Sequence, residues 1–129
     1  MKPSPTIPRR ERAWTLALAL LAGLSLALLG LAFEQLKDDR RAMLLRNCLQ
    51  FLREDPENQT AWFELGNGDC WWHWYGSETE AQACGLLLLV RMQPESQAAA
   101  GLVKYLLNNR KHATYWNSTR DTALCVEAL

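Results

Sequence analysis

The stretch Leu49-Gln-Phe-Leu-Arg-Glu-Asp-Pro-Glu-Asn-Gln-Thr-Ala-Trp-Phe-Glu-Leu65 aligns without gaps to Leu87-Leu-Leu-Val-Arg-Met-Gln-Pro-Glu-Ser-Gln-Ala-Ala-Ala-Gly-Leu-Val103. Six of the 17 pairs are identical, one each of Leu, Arg, Pro, Glu, Gln and Ala. Chance pairing at ordinary residue frequencies would give about one. The copies are offset by 38 residues, Pro56 against Pro94. Each copy reads as the end of one helix, a proline turn and the start of the next, because proline cannot continue a helix but can open one.

Helical patterning extends outward from both copies. Residues Glu34–Glu54 place Leu36, Met43, Leu44, Cys48, Phe51 and Leu52 close to a 3.6-residue period. A second helix is predicted over about Gln59–Tyr75, closed by Gly76-Ser77. Ser77-Glu-Thr-Glu80 is a capping box and opens a third helix that runs to Met92. Gln93-Pro94 stops it, and a fourth covers about Ser96–Asn108. Asn117 or Ser118 caps a last helix ending at Ala128. No strand-like alternation competes, so the sequence predicts an all-α fold.

Composition assigns the remaining segments. Among 129 residues, 14 basic groups balance 14 acidic ones, but unevenly along the chain. Residues 1–12 carry Lys2, Arg9, Arg10 and Arg12 against Glu11, whereas residues 34–129 are net acidic. A basic nucleic-acid-binding surface is therefore excluded. Six Trp and abundant Leu exclude disorder. Between the charged segments, Ala13–Phe33 holds no charge over 21 residues. That is the ~20-residue length of a transmembrane helix, with Trp14 and Phe33 at its ends as interface residues prefer. The rival, a cleaved signal peptide, has a shorter apolar stretch of roughly 7–15 residues. The expected organisation is a basic cytoplasmic tail (1–12), a membrane span (13–33) and a helical domain outside the cytoplasm (34–129), oriented by the positive-inside bias. Ala19 and Gly23 give the span a small-xxx-small spacing, which alanine-rich spans contain by chance.

The repeat resembles the tetratricopeptide repeat, a helix-turn-helix unit of about 34 residues. Trp62, Leu65 and Gly66 fit the family's W-x2-L-G opening, Pro56 precedes at the family's distance, and Pro94 closes the unit. Asp69, Gln82 and Leu89 depart from the family's aromatic and small positions, and the second copy lacks the Trp and Gly. The resemblance implies stacked antiparallel helical hairpins that bind peptides or protein surfaces without chemistry of their own.

All four cysteines follow the apolar segment, and an even number outside the cytoplasm suggests two disulfides. Cys70 and Cys84 are equidistant from residue 77, so an antiparallel hairpin turning there would place them level, leaving Cys48 for Cys125. Cys48–Cys70 is the rival pairing, and four buried thiols are the alternative. Cys70-Trp-Trp-His73 puts a thiol and an imidazole one turn apart, but His112 is the only other histidine and no metal or haem motif is completed. No catalytic or metal site is expected, nor any cofactor or small-molecule substrate.

Trp71-Trp72-His73-Trp74-Tyr75 carries four large rings in five positions, more than one helix face can hold. Trp71, Trp72, Trp74 and Tyr75 are thus candidates for a partner surface; the other reading is that Tyr115 and Trp116 cover them. Asn58-Gln-Thr60 and Asn117-Ser-Thr119 fit the glycosylation sequon. The expected function is that of a membrane-anchored interaction or scaffold protein. It would be an accessory subunit of a membrane complex or of envelope assembly, such as cytochrome c maturation or pilus biogenesis. The alternatives are a single-span structural subunit of a respiratory or transport complex, and a eukaryotic type II membrane glycoprotein.

Overall fold

The computed structural model describes residues 26–65 and 77–129. In chain order these form α1 (helical over 26–35), α2 (Arg41–Leu49), a hairpin of β1 (Leu52–Asp55) and β2 (Thr60–Phe63), then α3 (Glu78–Met92), α4 (Gln97–Asn108) and α5 (Thr119–Ala128). Helices α3 and α5 start at their serine caps, and Pro94 lies in the corner between α3 and α4. Ser77 Oγ accepts the Glu80 amide at 3.0 Å, and Ser118 Oγ accepts the Asp121 amide at 3.1 Å.

The helical pair expected across Leu49–Leu65 is instead a two-stranded antiparallel sheet, with Leu52 opposite Phe63 and Asp55 opposite Thr60. Local chemistry accounts for the difference. Asp55 accepts the Glu57 and Asn58 amides at 2.9 and 3.3 Å, while Asn58 Nδ2 donates to its other oxygen at 2.6 Å. Such side-chain bonding offers the backbone a turn in place of a helix. Gln59 completes the reversal at φ 54°. The following Thr60-Ala-Trp-Phe63 is the kind of branched and aromatic run that fits a pleated surface. The all-α, tetratricopeptide-like architecture is therefore corrected: the second copy of the repeat is a helix–proline–helix corner, whereas the first is a β-hairpin.

The predicted span is corrected as well. Among the described residues no helix is long and apolar enough to cross a membrane. Residues 26–33 of the apolar segment pack on the protein's own core. Ala27 is 2% exposed, Leu26 and Leu31 lie against buried neighbours, and a Cβ on Gly30 would stand 2.7 Å from Leu88 Cδ2. Residues 13–25 lie outside the described part. The single helix expected over Glu34–Glu54 is also divided, because Lys37 takes a left-handed φ of 53° and Asp38 accepts the Arg40 amide at 2.9 Å before α2 begins.

Helix α3 is the centre of the core. It packs against α2, α4, α5 and β2, and every residue from Glu80 to Leu89 except Leu87 is buried. Strand β2 lies across α4, where Gly101 makes the approach possible: a Cβ there would sit 2.8 Å from Ala61 Cβ and 2.9 Å from its backbone nitrogen. The second edge of β2 is held by Gln82. Its Oε1 accepts the Phe63 amide and its Nε2 donates to the Phe63 carbonyl, both at 2.7 Å.

Candidate functional site

Docked this way, the hairpin turn overhangs α4 and encloses a groove of about 600 Å³. The volume lies in the usual range for ligand clefts. Its floor is made of small residues, Ala61 from β2 with Ala100 and Gly101 from α4. Polar groups line the walls: Glu54, Asp55, Gln59 and Thr60 on the hairpin, Gln97 and Lys104 on the helix. Lys104 Nζ donates to Gln59 Oε1 at 2.7 Å, tying the turn to α4. The hydrogen bond from Asn58, with help from the backbone amides of Asn58 and Glu57, holds the Asp55 carboxyl below the usual carboxylate range. The groove thus presents carboxylates on one wall and an ammonium on the other, above a floor of Ala61, Ala100 and Gly101.

The residues singled out from the sequence are distributed as follows. Pro56 lies in the hairpin turn and lines the groove. Trp62 sits on β2 and stacks on Tyr105 of α4, with ring centroids 5.9 Å apart and planes at 21°. Leu65 is buried, and Pro94 occupies the corner between α3 and α4. Gly66, Cys70 and the cluster Trp71, Trp72, Trp74 and Tyr75 lie outside the described residues. Of the aromatic pair proposed to cover that cluster, Trp116 is buried and donates from Nε1 to the Leu106 carbonyl at 2.8 Å. Tyr115 is half exposed and stacks on His112 at 5.1 Å.

Cys48, Cys84 and Cys125 are free, buried thiols. Cys48 faces a small apolar cavity with Phe51, Phe63 and Gly85, while Cys84 and Cys125 lie on the two packed helices α3 and α5, near enough for Cys84 to raise the Cys125 thiol. Burial pushes Cys48 and Cys84 up to about 11; burial, then Asp121 and Cys84, push Cys125 up to about 12. The unfolded chain releases these protons near pH 9 while the folded state retains them. The stability conferred is therefore complete below that pH and is lost as the pH rises through 11–12. Urea unfolding of the reduced protein should show stability lower by about 2 kcal/mol at pH 9.5 than at pH 8, summed over three thiols. Equal midpoints at the two pH values would contradict thiol burial.

A second polar cluster joins the starts of α3 and α5. Ser77 Oγ donates to Asp121, Arg120 pairs with Glu80, and Asn117 Nδ2 donates to Thr79 Oγ1 at 3.1 Å. Glu80 and Asp121 are buried, at 4% and 3% exposure, and each is satisfied by this exchange. Sequence reading found the two caps but not their union. The available signal was a second internal spacing: Ser77-x-x-Glu80 and Ser118-x-x-Asp121 recur 41 residues apart, each followed by a cysteine at the same distance, Cys84 and Cys125. No family model matches the chain, and no curated protein or solved structure is significantly similar to it.

Proposed function

We propose that this chain is a protein-interaction module, an accessory or scaffold unit that holds a partner's polypeptide segment in the groove between the hairpin turn and α4. The observation that carries the reading is the groove's construction. Its volume of about 600 Å³ leaves room for an extended main chain, and the walls offer both acceptors and donors along its length. Glu54 and Asp55 suit a basic or amide-bearing side chain, and Lys104 an acidic one or a carbonyl. Nothing in this role asks the chain to perform chemistry.

Selection of a random peptide library on the immobilised full chain tests the proposal. Enriched peptides should lose at least ~10-fold in affinity for an Ala100→Arg variant, a difference of about 1.4 kcal/mol. Ala100 is exposed on α4, so the arginine fills the groove without disturbing the core. Failure to enrich any peptide, or equal binding to the variant, would overturn the reading.

A further inference from the structure

We infer that Cys84 and Cys125 form a disulfide-forming pair that staples α5 to α3 when the chain meets an oxidising disulfide. The placement rests on register. Ser77 and Ser118, the caps of α3 and α5, stand side by side through the Ser77–Asp121 and Asn117–Thr79 contacts. The two helices therefore start at one level and run parallel. Each cysteine lies seven residues after its cap serine, two helical turns along, so the two thiols arrive at the same height. Both face the contact, with Cys84 at 1% and Cys125 at 0% exposure. At an ordinary axis separation of ~8–10 Å, facing Cα atoms of two helices approach to about 5 Å, within the span a disulfide bridges.

The chemistry is thiol–disulfide exchange. One cysteine thiolate attacks a sulfur of the incoming disulfide, forming a mixed disulfide and expelling one thiolate of the oxidant. The second cysteine thiolate then attacks the mixed disulfide at the first cysteine's sulfur and expels the other. Two S–H groups of the protein are oxidised to one S–S bond, and the oxidant's disulfide is reduced to two thiols, which take up the two protons. Because the closed core protonates and covers both sulfurs, exchange takes place while α5 is open, during folding or local undocking. Once α5 docks, the bond is shielded from reductant. This pairing differs from both pairings read from the sequence between Cys84 or Cys125 and the other two cysteines.

The test uses the full, reduced chain equilibrated with oxidised and reduced glutathione, in urea below the unfolding midpoint so that α5 samples its open state. After trapping with N-ethylmaleimide, chymotryptic peptides are mapped without reduction; cleavage at Trp71–Tyr75 separates Cys70 from Cys84. A cross-linked Cys84–Cys125 peptide, lighter by two hydrogens than the two thiol peptides, is expected. The oxidised protein should melt roughly 10 °C or more higher, since the bond closes a loop of some 40 residues. Dithiothreitol in the same urea, where α5 opens, should reverse that rise, and a Cys125→Ala variant should show none. Both cysteines recovered as maleimide adducts, linked to glutathione, or joined to Cys70 or Cys48 would overturn the inference.

Discussion

Replacing Gln82 with alanine is expected to unfasten the hairpin and to cost about 2–6 kcal/mol. Gln82 is fully buried on α3 and supplies both hydrogen-bond partners of the Phe63 backbone. Its loss leaves a buried amide and a buried carbonyl without partners, at about 1–3 kcal/mol each. For a chain of this size that is a large share of the whole stability. Hydrogen exchange should locate the effect, with the amides of β2 losing protection while those in the centre of α3 keep theirs. Gln82→Glu gives a sharper version. A carboxylate still accepts the Phe63 amide but opposes its carbonyl, so the variant should be weakest at neutral pH. It should recover as acid protonates the carboxyl, because the buried acid's raised pKa makes stability greater at low pH. Unaltered protection of β2 in Gln82→Ala would refute the role assigned to this side chain.

The second large effect is expected from Leu88→Ala, at about 2–5 kcal/mol, from lost burial plus the cavity left behind. Leu88 is 0% exposed and its methyl groups fill the space opposite Gly30 on α1. The same truncation at Val90, which is 39% exposed on the same helix, should cost no more than about 0.5 kcal/mol. Denaturant titration separates the two. Chemical shifts or exchange at residues 26–35 should change in Leu88→Ala alone, since α1 loses its seat. Equal stability of the two variants would remove the docking of α1 as an element of the core.

What the sequence disclosed and what it withheld follow the range of the interactions involved. Helices α3, α4 and α5 were legible because their signals are local: a serine three residues before an acid, a proline in a corner, a period near 3.6. The hairpin was not, because its deciding partners are remote. Phe63 is held from Gln82, 19 residues away, and Ala61 is admitted by Gly101, far along the chain. The shared Pro-Glu-x-Gln-x-Ala of the two repeat copies suggested one conformation for both. The Asp55 turn bonds and the Thr60–Phe63 run decided otherwise in the first. Residues 26–33 misled for a different reason: leucine and alanine in lipid and leucine and alanine against a core have the same composition. Only a partner such as Leu88 distinguishes them. Of the groove, Pro56 had been singled out for its place in the repeat, and Gln59 and Thr60 only as part of a sequon.

The paired starts of α3 and α5 have an electrostatic consequence. Parallel helices set their positive dipole ends beside one another, which alone would drive those ends apart. Here Glu80 and Asp121, each three residues past its cap, place a carboxylate at each end, and Ser77 shares Asp121 between both. The first turn of either helix therefore carries part of the other's neutralising charge. Unwinding α5 by one turn withdraws Arg120 from Glu80 and Asp121 from Ser77, leaving the buried Glu80 without its cation and Ser77 without its acceptor. Fraying of α5 therefore carries a cost at the start of α3, while the rest of α3 stays packed on α4 and β2.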